Sequence, residues 1–206
     1  MLADRYDLFI FDWDGTLATT TAIVRFARLL KPRYNVSRIE RRSDSYKYET
    51  ASELKAQQDM NRIYDFAYSL YSMLYRPRLK PGAIEMLMEL KKKGKKIAVF
   101  SDSNRYRLLI ETRKLGITRY VDLVLSADSI KMFKPNPAGL NAILKKFRVR
   151  RGRCVYIGDM AVDVFAARFA GIASCVVRDG VDPYKTLKSA RPDHVAATLG
   201  DIMRLR

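Results

Sequence analysis

Along residues 81–177, short unbroken apolar runs alternate with longer stretches in which apolar residues recur every three or four positions. The runs "KKIAVFSDS" (95–103), "DLVLSAD" (122–128), "RCVYIGD" (153–159) and "IASCVV" (172–177) read as strands. A fifth, Leu8–Phe11, stands alone near the N-terminus. Between the later runs lie "GAIEMLMELKKKG", "RYRLLIETRKLG", "PAGLNAILKKF" and "VDVFAARFAG", whose spacing predicts helices. Gly94, Gly116 and Gly171 fall where helices end. Strands that are apolar throughout, alternating with helices, predict an α/β fold: a doubly wound parallel sheet covered on both faces. "DHVAATLGDIMRLR" (193–206) repeats the strand-then-helix pattern.

Residues 18–79 break this rhythm. They hold no convincing strand, and Tyr64, Phe66, Tyr68, Tyr71 and Tyr75 follow helical spacing. The expectation is a small α-helical domain over 18–79, inserted into a core made of 1–17 and 80–206. Its aromatic stripe is read as its own core, and its cationic stretch "KPRYNVSRIERRSDSYKYE" (31–49) as a solvated face.

Composition narrows the class. With 206 residues, 48% hydrophobic and 30% charged, the chain can bury one sizeable core plus a small lobe. No apolar run approaches the ~18 residues of a membrane span. Asp4, Arg5 and Asp7 precede the first apolar run, unlike a secretory signal. Cys154 and Cys175 sit inside apolar runs and read as small core residues, so a cytoplasmic setting is expected. The net charge of +17 suits polyanions or a small anionic substrate. Nucleic acid is the lesser expectation as main partner, because net charge describes a field and not a site. With a single histidine, His194, there is no HExxH zinc motif and no His beside a candidate Ser or Cys nucleophile, and no phosphate-binding Gly-rich loop pattern occurs. Catalysis is left to carboxylates, Lys and Ser.

Ligands of open parallel sheets bind beyond the carboxyl ends of the strands. Following the strands there are Asp12 and Asp14, then Ser101, Asp102 and Ser103, then Lys131 and Lys134, then Asp159 and Asp163. Each has an ordinary explanation alone: Asp14-Gly15 as a turn, Asp159 as a helix cap, Asp163 as a first-turn acid. Together they do not. Two like charges about 4 Å apart repel by about 4 kcal/mol at an effective dielectric of 20, and several carboxylates at one edge multiply that cost. A hard divalent cation removes it, and oxygen donors without His or Cys point to Mg²⁺. With Lys and Ser beside it, such a site suits phosphate.

"DWDGT", "VFSDSN", "KPNP" and "GDMAVDVFAARFAG", in that order, resemble the four motifs of the haloacid dehalogenase superfamily, in particular its phosphoglycolate phosphatase-like members. The resemblance covers the whole core and implies a Rossmann-like sheet, with 18–79 where that family carries its first type of cap. It implies a Mg²⁺-dependent phosphatase of a small phosphorylated metabolite, working through an aspartyl-phosphate. Asp12 is the implied nucleophile and Asp14 the implied acid and base. Ser101 and Lys134 are implied to hold the phosphoryl group, with Asp102 helping to bind it. The metal is implied at Asp12, the main-chain carbonyl of Asp14, and Asp159, with Asp163 as a further or outer ligand. Asp14 favours phosphatase or phosphomutase chemistry over dehalogenation, because the dehalogenases lack it.

The chain departs from the pattern in three places. Ala18-Thr19-Thr20 replaces an acidic position after the first motif. Trp13 is bulkier than the usual residue and is expected to pack into the core. Phe133 stands where a Gly is common, and Lys134 is preferred to Lys131 because Pro135 fixes the register. Arg38, Arg41, Arg42 and Lys47 of the inserted segment are candidates to meet a substrate carboxylate or second phosphate. The alternatives are a phosphomutase of the same superfamily, or a nucleic-acid-associated protein or polynucleotide-end phosphatase.

Overall fold

Strand β1 (Leu8–Phe11) is buried along its whole length because it has a strand on each side and helices on both faces. In the computed structural model, which describes residues 1–19 and 77–205, it pairs in parallel with β2 (Lys96–Ser101) and with β4 (Cys154–Gly158). Leu8 to Phe11 face Lys96 to Val99 on one side and Cys154 to Ile157 on the other. With β3 (Leu123–Ser126), β5 (Ala173–Val177) and β6 (His194–Ala196), the described residues form a six-stranded parallel sheet of order β3-β2-β1-β4-β5-β6. The chain winds outward from β1 in both directions, so the winding reverses at β1 and opens a crevice at its carboxyl end.

Side chains alternate across a strand, and the two faces of β1 feed two cores. Phe9 and Phe11, with Ile97, Val99, Val155 and Ile157, pack against α1 (Leu2–Arg5), α2 (Ala83–Lys92) and the C-terminal 3₁₀ helix Leu199–Arg204. Leu8 and Ile10, with Ala98, Phe100 and Tyr156, pack against α5 (Ala138–Phe147) and α6 (Ala161–Ala170). Helix α3 (Arg105–Lys114) follows β2, short helix α4 (Ala127–Ile130) follows β3, and α7 (Tyr184–Ser189) precedes β6. The doubly wound sheet expected from the sequence is therefore the one observed. Gly94, Gly116 and Gly171 terminate their helices at φ of 68°, 67° and 66°. Cys154 and Cys175 are buried and free. Burial pushes their thiols up to about 11 and about 12, so neither is a thiolate nucleophile at neutral pH.

Three local features differ from the expectation. After β6 the chain forms a 3₁₀ helix, not an α-helix; the segment is only six residues long and contains Gly200. Helix α1 arises in the polar N-terminus because Leu2 and Ala3 reach the core. Helix α3 turns Arg107, Leu108, Glu111 and Thr112 inward and leaves Tyr106, Leu109 and Ile110 exposed, an orientation that the helical spacing did not assign.

The helical lobe expected at 18–79 lies outside the described residues except at its ends. There Thr19 N–H donates to the Arg78 carbonyl at 2.8 Å, and Ala18 bridges Leu79 in antiparallel fashion. Among the described residues, no helix is long and apolar enough to cross a membrane.

Candidate active site

At the carboxyl end of β1 the backbone is still held by β4: Asp12 N–H donates to the Ile157 carbonyl at 2.8 Å. This delivers the Asp12 carboxylate to the crevice, 2% exposed. Lys134, on the loop after α4, places its Nζ 3.0 Å from Asp12 Oδ2 and 2.7 Å from Asp163 Oδ1. Its own N–H donates to Asp102 Oδ1 at 3.0 Å, which ties that loop to the end of β2. Burial alone lowers the affinity of the Lys134 ammonium for its proton. Asp12 and Asp163 outweigh that and hold it well above its ordinary range, so it stays charged.

Asp12, Asp159 and Asp163 are all buried, and each offers an oxygen within 4.8 Å of the others'. The ammonium of Lys134 supplies one positive charge against these three carboxylates. An oxygen-only donor set of three carboxylates fits a hard divalent cation such as Mg²⁺. Asp163 is engaged at both oxygens. Its Oδ2 accepts the N–H groups of Asp159 (3.1 Å) and Met160 (2.9 Å), and its Oδ1 meets Lys134 and the Tyr156 hydroxyl (3.3 Å). It thus also serves as the first-turn acid of α6, the ordinary role open to it.

Asp159 is packed from three directions. Its Oδ1 accepts the Thr16 hydroxyl at 2.9 Å and its Oδ2 the Val181 N–H at 2.8 Å. Gly15, at φ 85°, approaches so closely that a Cβ there would lie 2.2 Å from Asp159 Oδ2; a Cβ on Gly180 would lie 2.1 Å from Asp159 Cβ. The buried Lys80 braces the same wall, donating to the Gly15 carbonyl (3.2 Å) and pairing with Asp179 (2.6 Å). It joins the loop after β1 to the loop after β5.

Asp14 lives in a different environment, on the side of α3. The Arg107 guanidinium grips its carboxylate with two nitrogens, Nη2 to Oδ1 and Nη1 to Oδ2 at 2.9 Å. The Ser103 hydroxyl donates to the same Oδ2 at 2.6 Å. Arg107 Nε also donates to Glu111 Oε1 at 3.2 Å, and Trp13 Nε1 donates to Glu111 Oε2 at 2.6 Å. Trp13 is fully buried, as its expected place in the core requires. Its polar edge has a partner as well. Helix α3 starts where it does because the Asn104 side chain accepts the Tyr106 and Arg107 N–H groups.

Of the residues singled out in the sequence, the structure gathers Asp12, Asp102, Lys134, Asp159 and Asp163 into one contact network. Ser101 is buried beside it and bonded through its hydroxyl to Ser103. Lys131 lies outside, exposed and paired with Asp128 at 2.9 Å. Asp14 borders the group without contributing its carboxylate to the acidic cluster. Sequence reasoning missed Arg107, Glu111, Thr16 and Lys80. Arg107 and Glu111 did carry a signal: a four-residue separation on a helix whose apolar residues do not form one clean stripe.

The haloacid dehalogenase-like hydrolase family model matches residues 9–177. A phosphoglycolate phosphatase of Nitrosococcus oceani is 30% identical over 152 residues, which covers 69% of this chain and 66% of that protein. Pyrophosphatase PpaX of Bacillus velezensis is 24% identical over 221 residues, covering 100% of this chain and 98% of that protein. Of the phosphoglycolate phosphatases it matches in Vibrio, Cupriavidus and Nitrosococcus, the chain spans 43% to 67% of the length. The solved structure of CbbY from Rhodobacter sphaeroides in complex with phosphate superimposes with a TM-score of 0.70 at 18% identity over 96% of both chains, a likeness of fold. Sheet order, acidic edge and family match agree: the chain belongs to the haloacid dehalogenase-like hydrolases.

Proposed function

We propose that the chain is a Mg²⁺-dependent phosphatase of a small phosphorylated metabolite. The observation that carries this is the buried contact of Asp12 with Lys134, 3.0 Å apart, inside a cluster of three carboxylates. It pairs a carboxylate nucleophile with a fixed cation where a phosphoryl group needs both. Relatives named phosphoglycolate phosphatase and pyrophosphatase point to small anionic phosphates as substrates.

In this reading an Asp12 oxygen bonds to phosphorus as the bond to the leaving oxygen breaks, giving an aspartyl-phosphate. Asp14 gives its proton to the leaving oxygen. It then takes one from the water that attacks the intermediate, which returns free Asp12 and inorganic phosphate. Lys134 and Ser101 hold the phosphoryl oxygens, and Asp102 fixes the Lys134 backbone. Asp12, Asp159 and the main-chain carbonyl of Asp14 are the groups to hold Mg²⁺, with Asp163 as an additional or outer ligand that also fixes Lys134. When bound, the ion offsets charge on the phosphoryl oxygens.

The test is phosphate release with Mg²⁺ from phosphoglycolate, pyrophosphate, sugar phosphates, an aryl phosphate and end-phosphorylated oligonucleotides. Release from a small phosphate, abolished by chelation and by Asp12→Asn, is the expected result. Full activity of Asp12→Asn overturns the mechanism. A preference for oligonucleotide ends overturns the substrate class.

A further inference from the structure

Lys80 stands where the chain re-enters the core, two residues after Arg78, and is 8% exposed. An ammonium has three N–H donors and no acceptor, and three acceptors surround this one. They are the Gly15 carbonyl (3.2 Å), the Asp179 carbonyl (2.9 Å) and Asp179 Oδ1 (2.6 Å). Gly15 belongs to the loop after β1 and Asp179 to the loop after β5, the strands on either side of β4. What the two loops share is Asp159, which follows β4. The first loop sends the Thr16 hydroxyl to Asp159 Oδ1 (2.9 Å), and the second sends the Val181 N–H to Oδ2 (2.8 Å). The second loop also holds the Asp159 backbone, because the Asp182 N–H donates to the Asp159 carbonyl at 3.3 Å. Lys80 thus grips each loop within two residues of its donor to Asp159.

We infer, resting on the Mg²⁺ reading above, that Lys80 is the positioning residue for Asp159 as a metal ligand and acts through both loops at once. Donors on both oxygens fix the plane of a carboxylate, and hence the direction from which it meets an ion. Either donor moves if its loop shifts, and one ammonium ties the two loops together. The same clasp sets the Asp14 carbonyl. The Gly15 N–H lies in one peptide plane with that carbonyl and donates to the Ala18 carbonyl at 2.8 Å. Two turns of the same loop are then pinned by Lys80, its N–H donating to the Leu17 carbonyl (2.9 Å) and its ammonium to the Gly15 carbonyl. The Lys80–Asp179 pair has one partner 38% exposed and adds little to stability by itself. Its effect is expected in the affinity for the ion more than in the stability of the ion-free fold.

The readout is Mg²⁺ binding without substrate. The whole protein, stripped of ions by chelation, is titrated with MgCl₂ while its melting temperature and the heat of binding are followed. Lys80→Met keeps the apolar stem but removes the three donors. Its Mg²⁺ dissociation constant is expected to rise about 10-fold, the low end for groups that orient metal ligands. Thr16→Val removes one donor to Asp159 and should raise the constant by a similar factor, about 10-fold. The double variant should fall well short of the product of the two effects, because Lys80 acts partly through Thr16. Should Lys80→Met fail to fold, Asp179→Asn weakens the ion pair and keeps both carbonyl contacts, and is expected to raise the constant about 3-fold. An unchanged constant in the variant that folds, whatever its ion-free melting temperature, makes Lys80 a structural brace and overturns the inference. So does a double variant at the full product. A Mg²⁺ response in the wild type that Lys80→Met shares unchanged counts against Lys80 alone; a wild type that does not respond to Mg²⁺ sinks the metal reading and the role of Lys80 with it.

Discussion

Asp12 and Asp14 are separated by one residue and both are buried, yet they occupy opposite settings. Asp12 meets an ammonium within a cluster of three buried carboxylates. Asp14 is forked by a guanidinium that Glu111 also shares. The first setting gathers carboxylates around one ammonium, and the second forks one carboxylate onto a guanidinium. In the proposed mechanism the two chemically identical groups take different tasks, and what sets them apart is the partners that surround each.

Substitutions can pull the two settings apart. The largest effect is expected at Lys134. Lys134→Met leaves Asp12 and Asp163 buried without their ammonium, at a cost of about 3–5 kcal/mol by urea unfolding, and phosphate release should be lost. Added Mg²⁺ should recover part of the lost stability, because it acts on the same charges. Next comes metal linkage in the unsubstituted protein. Mg²⁺ at about 100 times its dissociation constant should stabilise the fold by about 2.7 kcal/mol, seen as a rise in melting temperature. Asp159→Asn should erase that rise and Glu111→Gln should keep it; the reverse pattern would put the ion on the α3 side. Gly15→Ala should cost about 1–3 kcal/mol and weaken the Mg²⁺ response, since it strains φ 85° and crowds Asp159. The smallest effect is a control far from both settings. Burial lowers the pKa of His194, whose Nε2 lies 2.9 Å from the Tyr6 hydroxyl. The unfolded chain therefore binds the proton first as pH falls below about 6.5, and stability declines there, by less than about 1 kcal/mol for a half-buried group. His194→Gln should flatten that decline while leaving the Mg²⁺ response intact.

The sheet and one of the two settings were legible because each rests on a local signal. Apolar runs and helical spacing mark the strands and most helices, and the three clustered carboxylates each follow a strand or sit in the first turn of a helix. Topology alone then carries these residues to one edge. The Asp14 setting was not legible, since Arg107 and Glu111 sit within a helix and their partners are 93 and 98 residues away. The inner face of α3 is largely polar because the buried hydrogen bonds and ion pairs of Arg107 and Glu111 outweigh the burial of Leu109 and Ile110. Trp13 was legible as a core residue, but not as a hydrogen-bond donor, because its ring fits the first role without disclosing the second.

The hydrogen bond between Thr19 and Arg78 has a meaning for the history of the chain. Where two ends of a segment touch, the scaffold senses neither the length nor the content of what lies between them. Loop closure penalises length only logarithmically, so exchanging residues 20–76 for a turn of a few residues would alter the closure entropy by only about 2 kcal/mol. Such a junction is a socket: sequences of very different size can be exchanged there while the register of β1 against β2 and β4 stays as it is.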